Sequence, residues 1–207
     1  MIAIVDYGVG NLFSLKSSLS RIGAPAVVTG DAAALRAADK IILPGVGAFG
    51  DAARKLRETG LADVVCGQAR LGKDILGICL GMQLLFDRSF EYGEHAGLGL
   101  IPGDVVDMTP DIPETLKVPH IGWNALHLVQ PEHPLFRYVH EGDCVYFVHS
   151  FYATNCGDAL LATAEYGREL TAAVAQDNVM GCQFHPEKSG NVGLNILRAF
   201  CGLEAAV

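Results

Sequence analysis

Asp74-Ile-Leu-Gly-Ile-Cys-Leu-Gly-Met-Gln-Leu-Leu-Phe-Asp87 passes from a short apolar stretch into a helical pattern with no polar loop between them. Residues 74–78 read as a buried strand and residues 80–87 as a helix that begins at once. A strand feeding directly into a helix is the repeating unit of a parallel sheet covered on both faces. The sequence upstream repeats the alternation. Residues 2–6 are a first strand, and 11–22 are a helix with Leu12, Leu15, Leu19 and Ile22 on one face. Residues 26–29 and 40–43 are further strands, and helical stretches run from about 51 to 70.

Downstream the character changes. Short strands are expected at 103–108, 117–121, 124–129, 144–148, 160–165 and 170–176, separated by Pro, Gly and Asp turns that suit antiparallel additions. Residues 179–184 read as a last buried strand. Residues 191–201 close the chain as a helix with an apolar stripe of Val192, Ile196, Leu197 and Phe200. With no repeat, linker or low-complexity tract, residues 1–207 are read as a single α/β domain: a mostly parallel sheet flanked by helices, with antiparallel strands added in the second half.

Bulk properties narrow the function. Half of the 207 residues are apolar and 18% are charged, which is globular composition. A net charge of -8 and the absence of Lys/Arg clusters argue against nucleic-acid binding, which depends on phosphate contacts. The first six residues carry no basic leader, and no later apolar run is long enough to span a bilayer, so neither signal peptide nor membrane helix is expected. Cys66, Cys79, Cys144, Cys156, Cys182 and Cys201 form no Cys-x-x-Cys pair. That scatter suggests reduced thiols in the cytosol, neither a disulfide frame nor a zinc knuckle.

Three places could carry chemistry. Gly77-Ile-Cys-Leu-Gly81 lies at the strand-to-helix junction, where a nucleophile elbow holds a reactive atom exposed on a sharp turn with small residues to either side. The free N–H groups of the helix beside Cys79 favour a thiolate. The bland alternative is a core cysteine between two packing glycines. His185-Pro-Glu187 follows the last expected strand, and if the chain stays extended the two side chains share a face. A nucleophilic thiol needs a base, and the base needs a partner that fixes its tautomer; this pair supplies both. A loop histidine beside an incidental acid is one alternative, and a metal site is another, but no second His or Cys stands at ligand spacing, so no metal is expected. The elbow and the His/Glu pair together favour the catalytic reading. Gly45-Val-Gly-Ala-Phe-Gly50 formally matches a dinucleotide fingerprint. It follows the third strand, though, and the next strand ends in Cys79 where a ribose-binding carboxylate would be needed. A glycine loop at a strand end can instead offer backbone N–H groups to an oxyanion, or simply turn the chain.

Pro44-Gly-Val-Gly47, Gly77-Ile-Cys-Leu-Gly-Met-Gln83 and His185-Pro-Glu187 resemble, in order and spacing, the motifs of the class I (triad) glutamine amidotransferases. Asp6-Tyr-Gly-Val-Gly-Asn11, Pro119-His-Ile-Gly-Trp-Asn124, Tyr146-Phe-Val-His-Ser150 and Phe184-His-Pro-Glu-Lys-Ser189 resemble, within that group, the glutaminase subunits of imidazole glycerol phosphate synthases. The resemblance implies a flavodoxin-like sheet with Cys79 at its carboxyl end. It implies Cys79 as nucleophile, His185 as base and acid, and Glu187 as the group that orients His185. Backbone N–H groups of Leu80 and of Val46 or Gly47 would hold the oxyanion, and Gln83, Glu91, Ser150 and Phe151 would hold glutamine. For Glu91 and Phe151 a purely structural role competes with that one. The resemblance further implies a (β/α)8-barrel cyclase partner in a heterodimer, with Trp123 at the docking surface and Asn11, Tyr146 and Lys188 at the same interface. No cofactor is implied.

Three rival readings are weighed against this one. A glutaminase of the same fold could feed another synthase, such as one making pyridoxal phosphate, but the Gly-Trp-Asn and Tyr-Phe-Val-His motifs speak against it. A non-catalytic subunit keeping the fold is disfavoured by the intact Cys79, His185 and Glu187 set. A nicotinamide-dependent oxidoreductase lacks the ribose carboxylate.

Overall fold

The computed structural model describes residues 1–204. Its first half contains strands β1 (Ile2–Val5), β2 (Ala26–Thr29), β3 (Lys40–Gly45) and β4 (Ile75–Cys79). Interleaved with them are helices α1 (Leu12–Arg21), α2 (Ala32–Ala37), α3 (Phe49–Glu58), α4 (Leu61–Arg70) and α5 (Leu80–Gln83). The second half adds β5 (Arg88–Ser89), β6 (His95–Ala96), β7 (Asp104–Asp107), β8 (His120–Ala125), β9 (His127–Leu128), β10 (Cys144–His149) and β11 (Phe151–Thr154). It ends with β12 (Leu160–Glu165), β13 (Glu169–Gln176), β14 (Val179–Cys182) and α6 (Gly190–Cys201).

The main sheet has the order β2-β1-β3-β4-β14-β13-β12-β9. β2, β1, β3, β4 and β14 run parallel, and β13, β12 and β9 continue antiparallel. The strand period of two sorts residues between two cores. Ala3, Val5, Ile41, Leu43 and Ile75 face one core, with Leu35 of α2, Phe49 and Leu56 of α3 and Val65 of α4. Ile2, Ile4, Ile42, Leu76 and Ile78 face the other, with Leu15 and Leu19 of α1 and Ile196, Leu197 and Phe200 of α6. Helices on both faces leave no polar side for these strands, which is why they read as unbroken apolar runs. β10 pairs antiparallel with β8, and β11-β7-β5-β6 form a separate small sheet.

Several expectations need adjustment. The helix expected over 80–87 is only one turn, Leu80–Gln83, followed by tight turns. Residues 80–86 are buried throughout, and the carbonyls of Leu84, Leu85 and Phe86 accept from Leu98, Leu100 and Gly99, which ends the helical ladder. The strands expected at 117–121 and 124–129 are instead one six-residue strand, β8, and the short β9. Gly122 does not interrupt β8; it sits opposite Phe147 in the ladder with β10. The last strand stops at Cys182, two residues early. α2, β5, β6 and β11 lie where no regular element was expected.

Candidate active site

Cys79 ends β4 at φ 54 and ψ -114, a left-handed backbone that a non-glycine residue holds only under constraint from its surroundings. The constraint is steric. A Cβ on Gly81 would lie 1.8 Å from the Leu43 carbonyl oxygen, and one on Gly77 would lie 2.7 Å from the Gly81 oxygen and the Met82 backbone. β3, β4 and α5 therefore meet at backbone contact. The register places Gly45 beside Cys79, bringing the Gly45–Gly47 turn against the elbow. Tyr7 reinforces that turn: its buried hydroxyl donates to the Pro44 carbonyl at 2.9 Å, and burial, then the nearby Cys79, pushes the phenol well above its ordinary value.

His185 is 2% exposed and sits beyond the end of β14 with its Nδ1 2.8 Å from Glu187 Oε1. The pair does not form by strand alternation, as the sequence had suggested. Pro186–Lys188 is a 3-10 turn, and the turn brings Glu187 back beneath the imidazole. Ser189 fixes the segment, since its hydroxyl donates to the His185 carbonyl at 2.7 Å and accepts from Tyr146 N at 2.9 Å. Burial lowers the basicity of His185, but the neighbouring Cys79 and the hydrogen-bonded Glu187 outweigh it and raise the group to about 9. The raised basicity suits His185 to take a proton from the thiol, with Glu187 beside it to stabilise the cation that results.

Cys79 and His185 open onto a cleft of about 330 Å³ lined also by Val46, Gly47, Leu80, Gln83, Glu91, Ser150 and Phe151. All the residues expected to hold an oxyanion or glutamine thus lie on one cavity. A larger open groove of about 690 Å³ adjoins it across Glu91 and Tyr92, but its Arg54 is paired with Asp51 and Glu58, and it lies away from the thiol. Glu91 has a visible structural task. Its carboxylate accepts from Phe49 N, capping α3, whose own N-cap, Ala48, has no side chain to do so. Gln83 is committed through Nε2 to the Phe151 carbonyl at 3.0 Å and to Gln183 Oε1 at 2.9 Å, which leaves only its oxygen for a substrate.

Trp123 is 57% exposed and edge-on to Tyr146, and the Lys188 ammonium lies 5.7 Å from the Tyr146 ring centre. Tyr146 and Trp123 are cross-strand partners. These three residues form one patch. Asn11 lines a small cavity with Pro44, Gly45, His185 and Glu187. Among the described residues no cluster of His, Cys, Asp or Glu could hold a metal ion, and no helix is long and apolar enough to cross a membrane.

Two buried polar residues at the site escaped the sequence reading. Gln183, fully buried, places Nε2 3.8 Å from Cys79 Sγ. His149 donates from Nδ1 to the Phe151 carbonyl at 2.8 Å and faces His120 Nδ1 from Nε2 at 3.1 Å. Burial holds His149 neutral, at about 3. The signal was present, since His149 is the one hydrogen-bonding side chain facing inward from β10, and Gln183 is a buried amide between the apolar Cys182 and Phe184 just past β14.

A family model described as Glutamine amidotransferase class-I matches residues 3–201. The chain is 52% identical over 200 residues to "Imidazole glycerol phosphate synthase subunit HisH" of Lacticaseibacillus casei (strain BL23), covering 97% of this chain and 94% of that protein. It is 53% identical over 203 residues to the protein of the same description from Sulfurimonas denitrificans, covering 97% of each. Two solved structures share the fold. One is described as "Crystal structure of glutamine amidotransferase", with a TM-score of 0.76 at 21% identity over 98% of this chain and 100% of that one. The other is "Structure of PurLQS from Thermotoga maritima", with a TM-score of 0.74 at 23% identity over 97% of each.

Proposed function

The chain belongs to the class-I glutamine amidotransferases, and from that premise we propose that it releases ammonia from glutamine for an imidazole glycerol phosphate synthase in histidine biosynthesis. The observation that carries the reading is the buried His185, hydrogen-bonded to Glu187 and lining the same cleft as Cys79.

The thiol proton passes to His185, and Cys79 sulfur attacks the side-chain carbonyl carbon of glutamine. The carbonyl oxygen becomes an oxyanion, held by backbone N–H groups of Leu80 and of Val46 or Gly47. Such donors are effective because they are fixed before the charge develops. His185 returns its proton to the amide nitrogen, ammonia departs and a thioester remains. His185 then takes a proton from water, the hydroxide displaces the sulfur, and glutamate leaves with the thiol restored. Glu187 holds the imidazole in one orientation throughout and stabilises its charged form. Gln83 Oε1, Glu91, Ser150 and Phe151 hold the glutamine.

The ammonia acceptor is a ribonucleotide bound by a (β/α)8-barrel cyclase, and the joint products are imidazole glycerol phosphate and an aminoimidazole carboxamide ribotide. Trp123, Tyr146 and Lys188 dock that subunit and Asn11 adjoins it. An exposed aromatic beside a cation is the composition of an interface anchor. The test is glutamate release by the chain alone, then with the cyclase and its ribonucleotide ligand. A large rise with the liganded partner supports the reading. High activity indifferent to the barrel removes the synthase assignment and leaves the amidase.

A further inference from the structure

Hydrogen bonds around the thiol run in one direction, and a backbone carbonyl sets it. The Phe151 oxygen can only accept. It receives His149 Nδ1 at 2.8 Å and Gln83 Nε2 at 3.0 Å. With its carboxamide nitrogen thus pointed at Phe151, Gln83 directs its second N–H to Gln183 Oε1 at 2.9 Å. Gln183 is then oriented as well: its oxygen is occupied by Gln83, so its N–H₂ end is the one that faces Cys79 Sγ at 3.8 Å. Turning either amide round would set two oxygens or two N–H₂ groups against each other in a space without solvent, since Gln183 is 0% and Gln83 5% exposed. His149 locks the far end. Held neutral by burial, it donates to Phe151 from one ring nitrogen and accepts from His120 with the other.

We infer that Gln183 is a preorganised hydrogen-bond donor to the Cys79 thiolate, with Gln83 and His149 as positioning residues that fix its orientation from the Phe151 carbonyl. This rests on Cys79 being the nucleophile of the reaction proposed above. The two charge states of the sulfur meet different neighbours. As a thiol, Sγ can donate to the Val148 carbonyl at 3.9 Å. As a thiolate it loses that bond and gains one from Gln183, whose fixed N–H needs no reorganisation when the proton leaves. Gln83 therefore serves both glutamine, through its oxygen, and the nucleophile, through its nitrogen.

The test is the rate at which iodoacetamide labels Cys79, followed by mass spectrometry of the proteolytic peptide that carries it and so kept apart from the other five free cysteines, in wild type, Gln183→Leu and Gln83→Leu. Alkylation tracks the thiolate, and a lost bond to a charged acceptor should slow Gln183→Leu about tenfold near neutral pH. The deficit should shrink as the pH rises and hydroxide removes the proton in both proteins. Gln83→Leu should slow labelling in the same direction by a smaller factor, because Gln183 remains but is no longer oriented. The other titratable groups facing the sulfur and its cleft, His185 with Glu187 behind it, Tyr7, Cys182, His149, Glu91, Tyr92 and Lys188, are the same in all three proteins. A folded Gln183→Leu labelled at the wild-type rate at every pH overturns the inference. Should that variant not fold, wild-type labelling of Gln83→Leu overturns it equally. Wild type that labels as expected but releases no glutamate with the liganded cyclase would count against the proposed function alone.

Discussion

Gly81→Ala puts a methyl group where the fold has backbone. The added carbon would lie 1.8 Å from the Leu43 oxygen, 2.7 Å from the Leu43 carbonyl carbon and 3.1 Å from that of Pro44. Reaching even 3.0 Å from the oxygen requires β3 and α5 to part by about 1.2 Å. Neither element yields easily. β3 is held between β1 and β4 in the sheet, and every residue of α5 is buried. Overpacking a dense interior costs about 1 to 3 kcal/mol, and a clash with backbone falls at the upper end. At about 3 kcal/mol a chain of this size should melt roughly 6 to 12 °C lower. Activity should fall further, because a displacement of about 1 Å at a reacting atom costs on the order of a hundredfold. Melting followed by circular dichroism and glutamate release with the liganded partner measure the two effects. Gly67→Ala is the control: that glycine lies within α4 with nothing inside 4 Å of an added Cβ, and the substitution should stabilise by about 0.5 to 1 kcal/mol. A Gly81→Ala protein that melts and turns over like wild type would refute the claim that backbone contact holds the elbow in place.

Cys79→Ala should abolish glutamate release, by roughly a thousandfold or more, while binding the cyclase as wild type does. Residual turnover near the wild-type level would exclude Cys79 as nucleophile. Glu187→Gln should destabilise by about 3 kcal/mol at neutral pH, because it strips a buried histidine cation of its partner. Its pH dependence has a defined sign. The His185 value in the fold, about 9, lies above the ordinary 6.5, so its contribution is fully present below 6.5 and lost as the pH rises through about 9. Unfolding curves of the variant and wild type should therefore converge in alkaline solution, and a constant gap from acid to alkaline pH would mean that the ion pair is not its source.

The parallel half of the sheet was legible because burial on both faces leaves a strong trace. β1, β3 and β4 read as apolar runs, and the helices between them carry stripes such as Leu12, Leu15 and Leu19. Short elements left less. β5 and β6 have two residues each and are held by pairing with distant segments, so nothing local announces them. The 80–87 helix was overread for the opposite reason. Leu80, Leu84, Leu85 and Phe86 suit a helix by type, but the competing claim on its last carbonyls comes from residues 98–100, which sequence periodicity cannot reveal.

At the site, the sequence displayed groups at conspicuous junctions and concealed groups among apolar neighbours. Cys79, His185 and Glu187 stand at the ends of β4 and β14, where glycine and proline mark a change of chain direction. Gln183 and His149 sit among apolar neighbours and resemble tolerated core polar residues. Their importance lies in direction, which only partners can define. An amide or imidazole in an apolar strand must find complementary groups, because leaving one unpaired costs about 1 to 3 kcal/mol. Here the partners form a chain that begins at a carbonyl unable to donate and ends at the sulfur. A polar side chain interrupting an apolar strand next to an elbow is therefore best read together with the nearest fixed backbone acceptor, because that acceptor determines which end of the side chain the nucleophile meets.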